Sequence, residues 1–180
     1  MKDVSATPYA QRLLELHLPR YGEIPRIDLY MDQVVAILED CLRLFLRDAQ
    51  EKRITPAMIN NYVKLKVLPP PVKKRYTRDH LCQLILICLL KQVLSLPEIQ
   101  RLIAAQLETR DVRAMYDGFC AMQERAVLSA LERAAAQADG DRSDMALRVA
   151  AEANVGKMIA EKIMDVHFPA PSREKKREKE

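Results

Sequence analysis

Three consecutive prolines, Pro69-Pro70-Pro71, place the strongest constraint on how this 180-residue chain can fold. Proline fixes φ, has no N–H to give to a helix or a ladder, and pushes the residue before it out of helical geometry. No helix and no central strand can run through this point, so the chain must divide there. Basic side chains crowd the same place: Lys73, Lys74, Arg75 and Arg78 fall within the seven positions 72–78. A rigid break and a dense positive charge thus share one short segment.

On either side of the break the residues are helix formers. The chain has four glycines and no tryptophan, and it is rich in Leu, Ala, Met, Lys, Arg and Glu. That composition predicts an all-α protein. A short helix is expected over Tyr9–His17, with Pro19 and Pro25 interrupting the chain beyond it. Asp28 is placed to cap a helix from Leu29, whose Val34, Val35, Leu38, Cys41, Leu42 and Phe45 recur at three- and four-residue spacing. Thr55-Pro56 is a start signal, because threonine caps and proline suits the first turn. The helix it opens puts Ile59, Tyr62, Val63 and Val67 on one side and Ala57, Asn60, Asn61 and Lys64 on the other, and must stop before Pro69. Thr77 caps a helix from Arg78 to about Val93. It is apolar almost all round and is therefore expected at the centre. Ser95 caps Leu96–Gln106, a longer helix spans Asp111–Gln137, and Ser143 caps a last one to His167 after a turn at Asp139-Gly140-Asp141.

Composition also narrows the chemistry. The longest apolar run, Leu84–Leu90, is too short to span a bilayer, and the N-terminus lacks the apolar stretch of a secretory signal. The cysteines Cys41, Cys82, Cys88 and Cys120 form no C-x-x-C pair and lie in apolar helical patterns, as buried free thiols in a reducing compartment do. A cytoplasmic protein without a membrane partner is the expectation. His17, His80 and His167 are widely separated, no Cys/His cluster has metal-ligand spacing, and four scattered glycines cannot build a phosphate loop. The chain is therefore not read as an enzyme, and no catalytic residue, metal or cofactor is assigned.

The charge distribution points to a polyanion. The net charge is only +4, yet Glu51–His80 carries eight basic residues against Glu51 and Asp79, so the remainder is slightly negative. A helix that enters the major groove needs polar side chains on its exposed face and an apolar back. Asn60 and Asn61 supply the first, and asparagine can bond adenine at N6 and N7. Lys64 and Lys66 would lie nearer the phosphates. Past the rigid prolines, Lys73, Lys74 and Arg75 would pair with backbone phosphates beside the groove, the arginine as a two-pronged donor.

The sequence Thr55-Pro-x-Met-Ile-Asn-Asn-Tyr62, then Val67-Leu68-Pro69-Pro70, then Arg75-Tyr76-Thr77-x-Asp79, continuing to Leu94-Ser95-Leu96-Pro97-Glu98-Ile99, resembles the winged-helix head of mercury-resistance-type (MerR) regulators. That resemblance covers about residues 55–104 and implies a recognition helix, a short basic wing that includes Tyr76, and binding to double-stranded DNA as a homodimer. The chain differs from the pattern at two telling positions: Asn60 stands where an arginine is usual, and Lys66 where glycine usually comes after the recognition helix. The phrases Ile27-Asp-Leu-Tyr-Met-Asp-Gln-Val34 and Met58-Ile-Asn-Asn-Tyr-Val-Lys64 are similar to the bacterial DUF1836 family, a domain of unknown function, over most of residues 25–165.

The expected architecture is all-α: an N-terminal extension (1–26), a MerR-like winged helix-turn-helix head with a minimal or absent β wing (27–107), a C-terminal helical region (108–168) and a disordered charged tail (169–180). Met115, Phe119 and Met122 are expected to form a dimer seam or the face for a small-molecule effector of unassigned identity, with core packing as the plainer account of them. The expected function is transcription regulation through DNA, with a non-enzymatic protein-interaction module that kept the winged-helix shape as the alternative.

Overall fold

A computed structural model describes residues 8–45, 54–135 and 141–170. Lys52 and Arg53 of the basic segment, the Asp139-Gly140 turn and residues 171–180 of the expected tail lie outside the described residues. The helices are α1 (Pro8–Leu14), α2 (Met31–Leu42), α3 (Pro56–Lys64), α4 (Arg78–Leu90), α5 (Leu96–Leu107), α6 (Val112–Ala135) and α7 (Arg142–His167). No strand occurs among the described residues, and only isolated β-bridges interrupt the all-helical character.

α4 lies at the centre because it has no polar face to turn outward. Every residue from His80 to Leu89 is buried, and the helix packs on α2, α5 and α6. Its start is held by an inverted cap: His80 Nδ1 accepts from the Thr77 N–H at 3.1 Å and lies 2.8 Å from the Thr77 hydroxyl. His80 is thus a buried structural group.

One apolar core runs through the whole arrangement, from Leu18 and Leu29 through Leu38, Ile59, Leu84 and Ile99 to Tyr116, Cys120 and Met164. Residues 17–24, assigned from sequence to an extension, form a strap within it. Leu18 and Ile24 are buried. The Leu18 N–H and the Arg20 guanidinium both donate to Glu124 on α6 at 2.9 and 2.8 Å. The Tyr21 N–H donates to Asp117 at 2.7 Å, and its hydroxyl donates to Asp79 at the start of α4 at 2.8 Å. Tyr116 in turn donates to the Pro19 carbonyl at 2.8 Å. The strap therefore ties α6 to the start of α4 by directional bonds as well as by apolar burial.

Several helix boundaries differ from the sequence expectation: α1 ends at Leu14 and α4 at Leu90, each about three residues early, and three others have a visible cause. α2 starts at Met31 because Leu29 is held extended: its N–H and C=O each bond Tyr76 at 2.9 Å. α3 ends at Lys64, short of the prolines. The Lys66 N–H bonds the Val63 carbonyl at 3.0 Å and the Val67 N–H bonds the Tyr62 carbonyl at 2.9 Å, the paired bonds of a Schellman stop, with buried Val67 and Tyr62 as its apolar contact. α7 is capped by Asp141, which accepts from the Ser143 N–H at 3.2 Å, and not by Ser143 itself.

Three of the four thiols are buried as expected, and the fourth only partly. Cys82, Cys88 and Cys120 are buried and Cys41 is half-buried. Burial pushes Cys41 and Cys88 up to about 11. Among the described residues no helix is long and apolar enough to cross a membrane.

Candidate nucleic-acid interface

The candidate surface begins on α3. The Thr55 Oγ1 accepts from the Met58 N–H at 3.3 Å and starts the helix, with Pro56 in its first turn. Ile59 and Tyr62 are buried beneath it, and Lys91 on the segment after α4 reaches the Tyr62 hydroxyl at 3.3 Å. With the back so anchored, Ala57, Asn60, Asn61 and Lys64 are all exposed on the opposite side. At 100° per residue they fall within about 100° of arc. This polar strip carries two amides and one ammonium on a helix of nine residues.

Past the Schellman stop, the chain passes Pro69–Pro71 and turns back at once. Val72 and Arg75 exchange both backbone bonds, at 3.1 and 2.9 Å, around the two residues Lys73 and Lys74. Both lysines have positive φ, 50° and 62°. That is the two-residue I′ hairpin, a turn that normally takes Asn-Gly. This single hairpin, here called the wing, stands at the position where the sequence leads one to expect a wing; it is tied to the segment before α2 through the Leu29–Tyr76 pair.

Backbone pairing then assigns faces. In an antiparallel pair, side chains alternate between the two sides of the ribbon. Leu29 and Tyr76 point inward and are 4% and 3% exposed. Their neighbours Tyr30 and Arg75 therefore point outward, and so does Val72, the partner of Arg75. The Arg75 guanidinium lies over the Tyr30 ring, 4.7 Å from its centroid, and its Nη2 donates to the Tyr30 hydroxyl at 2.8 Å. Arg78 turns away from this surface. It stacks on Tyr21 at 4.9 Å, and its Nε is 3.5 Å from the Pro25 carbonyl.

Asn60, Asn61, Lys64, Lys66, Lys73, Lys74 and Arg75 are all exposed, on α3, its stop and the wing. Tyr76 is different: its ring is buried edge-on against His80, 5.6 Å between centroids, and burial raises its hydroxyl pKa. It is a scaffold residue and offers no surface contact. Its aromatic place on the outside is taken by Tyr30, 50% exposed, which sequence reading missed. Nothing in local spacing links Tyr30 to Arg75, 45 positions on. Gln100 was missed as well; its amide donates to the Lys66 carbonyl at 3.0 Å and steadies the end of α3.

The non-glycine residues with positive φ among the described residues are Lys66, Lys73 and Lys74. A side chain in this left-handed region costs roughly 1–2 kcal/mol relative to the right-handed one. All three strained positions belong to the basic surface, where each keeps an ammonium in place of the glycine or asparagine that local geometry favours.

Met115, Phe119 and Met122 lie elsewhere, on α6. Met115 is buried and Phe119 half-buried against this chain's own α4 and α5, whereas Met122 is exposed. With Leu86, Leu90, Leu102, Ile103 and Gln106 they line a cavity of about 260 Å³. Met115 and Phe119 thus face α4 and α5, and Met122 lies at the exposed side of the same cavity. Among the described residues no group of three or more His, Cys, Asp or Glu side chains is arranged to hold a metal ion.

No curated protein and no solved structure matches the chain. A family model does, described as a domain of unknown function (DUF1836), over residues 19–119. The match opens at the strap, takes in the α3–wing surface, and ends within the first third of α6. It covers more than half of the sequence, and the chain belongs to the DUF1836 family.

Proposed function

We propose that this protein binds double-stranded DNA through α3 and the wing and acts as a transcription regulator of MerR-like winged helix-turn-helix type. The observation that carries the reading is the coincidence of strain and charge. Lys66, Lys73 and Lys74 hold left-handed backbone beside an exposed strip of Asn60, Asn61 and Lys64. Asn60 and Asn61 suit base edges, and the lysines and Arg75 suit phosphates. Such a protein reads DNA as a homodimer, with half-sites one helical turn apart.

The test is binding to a pool of genomic duplex fragments across a salt series. Affinity should fall steeply with salt. Alanine at Lys73, Lys74 and Arg75 together should weaken binding on all sequences alike and flatten the salt dependence by about 2–3 log units per log unit. Unchanged binding in that variant rejects the wing as a phosphate clamp.

A second reading, a protein-interaction module without DNA, draws on α7. Its Leu147, Val155, Met158, Ile159, Ile163 and Val166 are exposed. That reading requires no duplex binding even at low salt, so the same experiment separates the two.

A further inference from the structure

We infer that Tyr30 is a positioning residue for the wing: it holds the Arg75 guanidinium flat and aimed outward, ready for a phosphate diester oxygen pair. The inference rests on the DNA-binding reading and deepens it. Arginine carries five N–H donors in a rigid plane but sits on a flexible stem, and a surface arginine loses that freedom when it pairs. Here the freedom is already restricted. The Leu29–Tyr76 pair sets Tyr30 directly across the ribbon from Arg75. The ring lies under the guanidinium at 4.7 Å, and the Tyr30 hydroxyl takes one Nη2 hydrogen at 2.8 Å. One of the five donors is used, and the others remain for a two-pronged contact. Both residues are exposed.

The pair has no evident structural duty. The core residues of the ribbon are Leu29 and Tyr76, and the start of α2 is held by the backbone N–H of Tyr30, which donates to Gln33 at 2.9 Å, and not by its side chain. Stacking an arginine on an exposed tyrosine adds little stability in water. It adds orientation, which is what a planar phosphate contact requires.

The test is duplex affinity of the full chain, measured by fluorescence anisotropy over a salt series, for wild type, Tyr30→Ala, Tyr30→Phe, Arg75→Ala and the Tyr30→Ala/Arg75→Ala pair. Tyr30→Ala should weaken binding about 3- to 10-fold, the cost of fixing one long side chain, with the salt slope retained because the phosphate contact still forms. Arg75→Ala should weaken binding and lower the slope by about 0.9. Adding Tyr30→Ala to Arg75→Ala should change nothing further. Tyr30→Phe, which keeps the stack and loses the hydroxyl bond, should fall between wild type and Tyr30→Ala. If Arg75→Ala weakens binding while Tyr30→Ala matches wild type, or if the two effects simply add, the positioning role is wrong and the DNA reading stands. If wild type binds no duplex at any salt, both are wrong.

Discussion

Replacing Lys66 by glycine should move stability and DNA binding in opposite directions. Lys66 has φ of 57°, the stop position that ends α3, and glycine is the residue this conformation favours. Relief of left-handed strain contributes about 1–2 kcal/mol, and the extra freedom of glycine in the unfolded chain takes back about 0.5–1 kcal/mol. The net gain is about 0.5–1 kcal/mol, in line with matched backbone substitutions elsewhere. For a chain of this size that raises Tm by about 1–4 °C. No side-chain contact opposes the gain: the ammonium is exposed, and the bonds to Val63 and Gln100 use the Lys66 backbone, which glycine keeps. The lost charge should at the same time weaken duplex binding and lower the salt slope by about 0.9. Lys66→Ala is the control, since it removes the charge and retains the strain; its binding should fall as far while Tm stays within about 1 °C of wild type. Calorimetry and a salt-dependent binding series measure both quantities. A lower Tm for Lys66→Gly refutes the backbone reasoning, and unchanged binding in both variants removes Lys66 from the interface.

The packing has further measurable consequences. Thr55→Ala removes the bond to the Met58 N–H and should cost about 1 kcal/mol of stability by chemical denaturation, with Thr55→Ser restoring most of it. Glu124→Ala removes the α6 acceptor of the Leu18 N–H and the Arg20 guanidinium and should cost about 1–3 kcal/mol by the same measurement. The Glu124 carboxyl is held below its usual range, first by the Arg20 hydrogen bond, so the unfolded chain takes up its proton at higher pH than the folded one. This contribution is therefore complete above the ordinary carboxylate pKa of 4.5 and is lost as pH falls through the lower folded value; Glu124→Gln should flatten the acid limb of a stability–pH profile. Cys82, Cys88 and Cys120 are buried and their thiol pKa values are raised by desolvation, so a disulfide reagent at pH 8 should titrate them only after unfolding.

Local chemistry made much of this protein legible in its sequence. Periodicity and composition specify helices wherever one face is apolar, and Thr55-Pro56, Thr77 and Ser95 mark three starts that the structure keeps. The all-round apolar run of α4 required a central place and has it. The basic side chains of residues 64–75 could be recognised as a surface because nothing nearby could bury or neutralise them. Tertiary structure decided the rest, for reasons that act between distant residues. Pairing of Leu29 with Tyr76 delays α2, buries Tyr76 and brings Tyr30 under Arg75 across 45 positions. The strap joins α6 through a carboxylate more than 100 positions away, Leu18 and Arg20 to Glu124, a contact that no window of local sequence contains. The left-handed lysines belong to both levels. Proline dictated that the chain must break near residue 69, and the packed stop and hairpin around it fixed which side chains bear the strain.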